Sequence, residues 1–158
     1  MRKRKTWREK LADDKDLPKV VTITGRMTKR WGKGTVAIAA PREVDAIMRK
    51  IPAGKLITIN EIRQLIAKKH KATIACPITT GIFAWIAAHA AEEAAAAGET
   101  EITPYWRTLK ATGELNPKYP GGIPRLKSLL EAEGHQVASK GKKHVVVDYE
   151  SRLVRHRS

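Results

Sequence analysis

The sequence contains a single cysteine, Cys76, among its 158 residues. One cysteine excludes an intramolecular disulfide and a cysteine-rich zinc site. None of the five histidines has a second histidine or an acidic residue at the spacing of a metal site, and no glycine-rich phosphate loop is present. We therefore expect neither a metal nor a cofactor.

Long apolar runs are also scarce. The most apolar stretch, residues 74–97, consists mostly of alanine and includes His89, Glu92 and Glu93, which favours a buried helix over a membrane span. No apolar segment follows the basic residues at positions 2–5, which argues against a signal peptide. We expect a protein of the reducing cytoplasm, associated with the nucleoid and without a membrane partner.

Acidic residues are few, with 16 against 31 lysines and arginines, so the net charge is +15. Such an excess is typical of nucleic-acid binding, although contact with ribosomes or anionic membranes is an alternative and charge does not separate DNA from RNA. Six of the first ten residues are basic. That run predicts a disordered or loosely helical arm, which either contacts nucleic acid or is a solvated tail.

Apolar periodicity and helix-capping residues predict four helices. The first begins at Pro41 and stops at Ile51. The second begins with a capping box formed by Thr58 and Glu61 and runs to about Lys69. The third begins at Pro77 or Thr79 and closes at Gly98, and the fourth runs from about Pro124 to Gly134. Two helices joined by a short turn behind another helix are typical of a helix-turn-helix.

Strands are predicted over residues 20–23, 35–38 and 144–149, the last with Val137 opposite it in a hairpin. A basic, glycine-rich loop or hairpin separates the first two. We divide the chain into a basic arm (residues 1–18), a possible β-hairpin extension (19–40), a DNA-binding domain (41–150) and a basic tail (151–158). The fold class is α+β, with a winged-helix or helix-turn-helix core.

Five short motifs within residues 41–137 resemble, in order, those of one known domain. It is the C-terminal DNA-binding domain of the methylated-DNA–protein-cysteine methyltransferases, shared with their non-enzymatic alkyltransferase-like relatives. The motifs are Ile51-Pro52-Ala53-Gly54-Lys55, Thr58-Ile59-Asn60-Glu61-Ile62, Pro104-Tyr105-Trp106-Arg107, Tyr119-Pro120-Gly121-Gly122 and the segment from Lys127 to His135. The resemblance implies the same fold and binding to duplex DNA.

The departures from this family concern its chemistry. The family's reactive cysteine is replaced by Tyr105 and the histidine beside it by Trp106, whereas Arg107 and Glu133 are retained. Neither a phenol, whose pKa is about 10, nor an indole can replace a thiolate activated by a neighbouring histidine. We therefore expect binding without methyl transfer. Tyr105 and Trp106 either stack on an extruded base, in a pocket with Tyr119 and Glu133, or fill that pocket and close it.

The resemblance also implies where DNA lies. The family's arginine finger, which fills the gap left by a flipped base, corresponds to Ile78, and its phosphate-rotating tyrosine corresponds to Ile59. An isoleucine can wedge into a base stack from the minor groove but donates no hydrogen bond. We expect DNA to contact the first turn of the long helix, and phosphates to contact basic side chains. The predicted DNA-binding residues are Ile59, Ile78, Thr79, Thr80, Gly81, Arg107 and Lys110.

The main hypothesis is a monomer that binds duplex DNA through the minor groove. One alternative is an alkyltransferase-like sensor of O6-alkylguanine that recruits repair proteins. Another is a divergent alkyltransferase using Cys76, a residue that otherwise packs as a small buried side chain. A protein- or RNA-binding module is a further alternative. Trp31 either stacks on nucleic acid or packs under the hairpin, and Trp85 is predicted to lie in the core.

Overall fold

The structure, a computed structural model, describes residues 5–154. The first four residues of the predicted arm and the last four of the predicted tail lie outside this range. The helices are α1 (Trp7–Ala12), α2 (Met27–Trp31), α3 (Pro41–Arg49), α4 (Ile59–Lys69), α5 (Pro77–Ala96) and α6 (Gly122–Ala132). The strands are β1 (Lys19–Thr22), β2 (Thr35–Ile38), β3 (Ile57–Thr58), β4 (Ile74–Ala75), β5 (Thr108–Leu109), β6 (Val137–Lys140) and β7 (Lys143–Val146). Short 3-10 turns cover Tyr105–Arg107 and Tyr149–Arg152.

The long helix α5 is the centre of the core. Five of its alanines are buried together with Thr80, and such small side chains let α3 and α4 approach closely. Pro77 occupies the first helical position, where its missing N–H costs nothing. Gly98, with φ at +96°, follows the last turn in the left-handed conformation that glycine tolerates. None of the helices within residues 5–154 is long and apolar enough to cross a membrane.

The predicted helix-turn-helix is confirmed in α4 and α5. The Thr58 hydroxyl accepts a hydrogen bond from the Glu61 amide at 3.3 Å, and the Glu61 carboxylate accepts one from the Thr58 amide at 3.1 Å. This capping box satisfies amides that lack a partner in the first turn. The turn after α4 contains β4, and α5 begins two residues after that strand. The mixed α+β class is confirmed as well.

The segment 19–40 joins the domain through a three-stranded sheet in the order β1, β2, β4. Strands β1 and β2 are antiparallel, and β2 pairs in parallel with β4. The loop expected between β1 and β2 contains the short helix α2. Met27 and Trp31, one turn apart on α2, pack on a buried cluster of Ile23, Val36 and Cys76. Trp31 therefore packs under this segment, one of its two predicted roles.

The helix α1 differs from the arm that the charge run predicts. Thr6 and Glu9 form a capping box, and the Trp7 ring stacks on His89 of α5 with centroids 4.4 Å apart. The Trp7 and Arg8 amides donate to the Glu93 carboxylate at 3.1 and 3.2 Å. Residues 7–12 are thus a helix docked on α5. The stacking of Trp7 on His89 and the hydrogen bonds to Glu93 stabilise it more than the repulsion between its cations destabilises it.

The remaining strands complete the domain. Strand β3 pairs in parallel with β5, and β6 pairs with β7 in the predicted hairpin, with Val137 opposite Val146. The segment 151–154 is described here although the sequence analysis assigned it to a tail. The Leu56 amide donates to the Arg152 carbonyl, and the Leu56 carbonyl accepts from the Val154 amide. Residues 151–154 therefore belong to the domain.

Candidate nucleic-acid interface

The first turns of α5 present an apolar, open surface. Ile78 and Ile82, one helical turn apart, expose 58% and 46% of their surface. Together with Gly81 and Trp85 they form one side of a groove of about 400 Å³, and Asn116 and Lys118 form the other. An exposed pair of isoleucines on a helix is an unusual use of apolar surface in water.

Gly81 has no side chain, so the helix backbone is accessible at this surface. A Cβ added at Gly81 would meet no other atom within 4 Å, so core packing does not require glycine here. Glycine inside a helix costs about 1 kcal/mol relative to alanine. Its presence is explained when a ligand approaches the helix backbone closely.

Thr79 and Thr80 differ in accessibility. Thr80 is buried, and its hydroxyl donates to the Cys76 carbonyl at 2.7 Å. Its predicted contact with DNA is therefore wrong for the side chain, because the hydroxyl is used within the helix. Thr79 is half-buried. Ile59 is half-buried at the start of α4 and packs against the main core.

A loop carrying Lys118 is tied directly to α5. The indole nitrogen of Trp85 donates to the Lys118 carbonyl at 3.1 Å, and Nε2 of His89 lies 3.3 Å from the same oxygen. Because a carbonyl oxygen only accepts, His89 carries its proton on Nε2 in this contact. Trp85 was predicted to lie in the core. It is half-buried on the α5 side of the groove, and its hydrogen bond holds Lys118 on the opposite side.

Tyr105, which the resemblance places at the position of a reactive cysteine, is fully buried. Its hydroxyl donates to Oε1 of Glu92 at 2.7 Å, and Arg125 pairs with the same oxygen at 3.0 Å. Burial, together with the Glu92 carboxylate, raises the pKa of Tyr105 to about 12. The phenol is therefore neutral and is used as a hydrogen-bond donor.

The predicted base pocket is closed at this point. Trp106 and Tyr119 contact Tyr105 edge-on, with centroids at 5.3 and 6.1 Å. Tyr119 is also buried, and burial raises its pKa. Both tyrosine rings are buried, so neither presents an accessible face on which a base could stack. Of the two roles weighed for Tyr105 and Trp106, the geometry favours filling the pocket.

Glu133 accepts hydrogen bonds from the two residues that follow Tyr105. The Trp106 indole donates to its carboxylate at 3.0 Å, and Arg107 donates from Nε at 2.9 Å and from Nη2 at 2.6 Å. Burial acts to raise the pKa of Glu133, but the hydrogen bonds from Arg107 and Trp106 outweigh it and hold that pKa below its usual value. The indole of Trp106 and the guanidinium of Arg107 thus share the Glu133 carboxylate.

Arg107 is consequently directed inward. Its side chain is 15% exposed, and Nη1 donates to the Ile51 carbonyl at 2.6 Å. The prediction that it contacts phosphate is not supported by this geometry, because Nε, Nη1 and Nη2 already donate to partners within the fold. Lys110, predicted for the same role, is exposed.

Three cations at or next to α1 are also engaged. Lys5 pairs with Asp13, Arg8 pairs with Glu99, and the Lys10 ammonium lies 4.4 Å from the centre of the Trp7 ring. These cations of the predicted arm therefore have partners within the fold.

Cys76 is 6% exposed and lies in the small cluster under α2. A thiol buried among apolar side chains is inert as a nucleophile, so the geometry does not favour an alkyltransferase that uses Cys76. Within residues 5–154, no three His, Cys, Asp or Glu side chains are placed to hold a metal ion.

Sequence reasoning did not find the second wall of the groove. The spacing of four residues between Ile78 and Ile82 predicts that both lie on one helix face. No sequence pattern predicts that Asn116 and Lys118 line the groove, because Lys118 is held there by a contact with a residue more than 30 positions away.

Two solved structures share this architecture. One is S. pombe Atl1 in complex with damaged DNA containing O6-carboxymethylguanine, with a TM-score of 0.54 and 19% identity over 73% of this chain and 94% of that chain. The chain has the Atl1 fold. The other is S. pombe ATL in complex with DNA, with a TM-score of 0.53 and 20% identity over the same shares of both chains. No family model matches the sequence, and neither does any curated protein.

The Atl1 fold agrees with the architecture that the five motifs imply. The motif residues that the fold brings together are Arg107 and Glu133, which join the turn at Ile51 to the end of α6. These contacts stabilise the Atl1 fold in this chain without supplying a nucleophile.

Proposed function

We propose that this protein binds duplex DNA without catalysis and presents the first turns of α5 to the minor groove. The observation that carries the proposal is the exposed pair Ile78 and Ile82 beside the open backbone at Gly81. Apolar side chains of this kind insert between base steps in minor-groove complexes.

Charge and fold support the same function. A net charge of +15 attracts the phosphate backbone through counterion release. The two structures with this fold were solved with DNA bound. Tyr105 leaves no thiol at the family's reactive position, which supports binding in place of methyl transfer. We place the protein in the cytoplasm as a monomer on nucleoid DNA.

Fluorescence anisotropy with a labelled duplex tests this function. Ile78→Glu puts a carboxylate against the phosphates and removes the apolar wedge, and we expect affinity to fall at least about tenfold, the equivalent of 1.4 kcal/mol. Val147→Glu is the matched control, because Val147 is 43% exposed in the turn after β7, away from α5 in the sequence. Equal binding by both variants, or no binding by the unmodified protein, contradicts the proposal.

A second candidate is a sensor of O6-alkylguanine that recruits repair proteins. It is favoured by the Atl1 complex, which contains O6-carboxymethylguanine. Two duplexes that differ only in one O6-methylguanine separate the candidates. Because Tyr105 and Tyr119 close the pocket, we expect equal affinity for both. Clearly tighter binding to the modified duplex would establish the sensor.

The closed pocket gives this comparison an internal control. Tyr105→Ala removes the ring that fills the pocket, at a cost of about 3–5 kcal/mol in stability. If the variant remains folded, we expect it to prefer the modified duplex over the unmodified one. Preference by the unmodified protein that disappears in Tyr105→Ala would instead show that the ring itself recognises the base.

A further inference from the structure

The segment between β1 and β2 carries an uncompensated positive charge. Residues 19–40 include five lysines and arginines and no acidic residue. Lys19 pairs with Asp16. The other four, which we name the α2 patch, are exposed and form no ion pair or side-chain hydrogen bond within residues 5–154. They are Arg26, Lys29, Arg30 and Lys33.

The fold holds this patch in a fixed position. The Cys76 amide donates to the Ala37 carbonyl at 2.9 Å. The Thr35 and Thr73 side chains accept from each other's amides at 3.1 and 3.0 Å. These bonds and the β2–β4 pairing anchor the segment to the turn that leads into α5.

The patch lies beside the proposed DNA contact. Met27 and Trp31 pack on the cluster that contains Cys76, which immediately precedes the first residue of α5. A helix is about 10 Å across, so the outward side chains of α2 lie within roughly 10–15 Å of the start of α5. Successive nucleotides of one strand advance by about 3.4 Å along the duplex axis, so this distance spans only a few phosphates.

Clustered cations repel one another, and no acidic side chain within residues 5–154 forms an ion pair with the α2 patch to offset that repulsion. At the start of α1, by contrast, Arg8 is paired, and so is Lys5 just before the helix. The chain therefore neutralises its basic residues near α1 and leaves those of α2 free. A polyanion that lies across the start of α5 supplies the missing negative charge.

We infer that the α2 patch is a second phosphate-binding surface, which contacts the duplex backbone next to the minor-groove contact of α5. This inference rests on the proposed function. It gives the segment 19–40 the role of lengthening the DNA footprint. Phosphate contacts position a protein without reading sequence, so the patch adds affinity equally for modified and unmodified duplexes.

The salt dependence of duplex binding tests the inference. Each phosphate contact contributes about 0.9 to the slope of log K against log salt. The triple variant Lys29→Gln, Arg30→Gln, Lys33→Gln is expected to lower that slope by about 2–3 and to weaken binding at least about tenfold. The matched control Lys50→Gln, Lys55→Gln, Lys127→Gln removes the same charge from exposed positions on other elements. We expect it to change the slope by less than about 1.

The outcomes separate this inference from the proposed function. If the unmodified protein does not bind the duplex, both fail. If it binds and Ile78→Glu weakens binding, while the α2 triple variant behaves like its control, only the α2 patch is refuted. Thermal melts of both triple variants confirm that they remain folded, which the exposure of all six side chains leads us to expect.

Discussion

Single residues show how the predicted pocket is used within the fold. Tyr105 is buried, and its hydroxyl donates to Glu92. The Trp106 indole donates to Glu133. Both polar groups therefore have partners inside the protein, and neither is left to contact a ligand.

Glu133 is the residue on which this arrangement depends. Its side chain is 13% exposed and accepts from Arg107 and Trp106. We expect Glu133→Gln to lower the free energy of unfolding by about 3 kcal/mol, because breaking a buried pair leaves the other charge uncompensated. Urea denaturation measures the loss. Glu131→Gln, at an exposed position on the same helix, should change stability by less than about 0.5 kcal/mol.

The pH dependence of this contribution has a defined sign. The pKa of Glu133 is lower in the folded protein than its ordinary value of 4.5. Its contribution is therefore complete above about pH 4.5 and is lost as the pH falls through the lower folded value. In Glu133→Gln this part of the acid destabilisation should disappear. An unchanged acid profile would mean that other carboxylates dominate.

Gly81 allows stability and binding to be separated. Because an added Cβ meets nothing, we expect Gly81→Ala to raise stability by about 0.5–1 kcal/mol. The same methyl group lies on the proposed DNA surface, so affinity should fall. Ser128→Ala, at an exposed position of α6, is the control that strengthens a helix without affecting DNA. Gly81→Ala with unchanged affinity would move the DNA contact away from this turn.

At the scale of elements, the attachment of residues 19–40 depends on a close approach between Gly34 and Thr73, the residues just before β2 and β4. A Cβ at Gly34 would lie 2.2 Å from the Thr73 hydroxyl and 2.9 Å from its Cβ, and φ is +127°. We expect Gly34→Ala to separate β2 from β4 and to reduce duplex affinity and salt slope together, as the α2 triple variant does. Gly25→Ala is the control, because it shares a positive φ of +60° but has open space. Anisotropy and thermal melts distinguish the two.

The elements that sequence predicts are those with local signals. The capping box at Thr58 and the pair Pro77 and Gly98 mark the ends of α4 and α5 correctly. Helix α6 begins at Gly122, two residues before the predicted start at Pro124, since proline is tolerated throughout a first turn. The short helix α2 and the docking of α1 escaped prediction, because both depend on tertiary contacts with α5 or its N-cap.

The candidate site was predictable to the same extent. Helical periodicity and the resemblance placed Ile78 and Gly81 on an accessible turn. The inward orientation of Arg107 was not foreseeable, because it depends on Glu133, whose carboxylate is brought close only by the fold. The same applies to Lys118, which α5 holds through Trp85 and His89.

At the scale of the whole molecule, charge is distributed unevenly between neutralised and free groups. Lys5, Arg8 and the buried Arg107 have acidic partners, whereas the cations of the α2 patch form no ion pair within residues 5–154. The net charge of +15 therefore does not show which cations can bind a polyanion. Residues 19–40, which contain no acidic residue, offer more unpaired positive charge than α1 does.

Strand β1 is the outer strand of its sheet, and Val20 and Val21 on it are 43% and 40% exposed. An outer strand with unpaired backbone groups is a template for pairing with another copy of the chain. Repulsion between like-charged molecules opposes such pairing, but the Debye length shrinks from about 8 Å at physiological salt to about 3 Å at 1 M. The high salt that would release a bound duplex thus also removes the protection against self-association. The unpaired positive charge that we propose for phosphate binding therefore also keeps copies of this molecule apart.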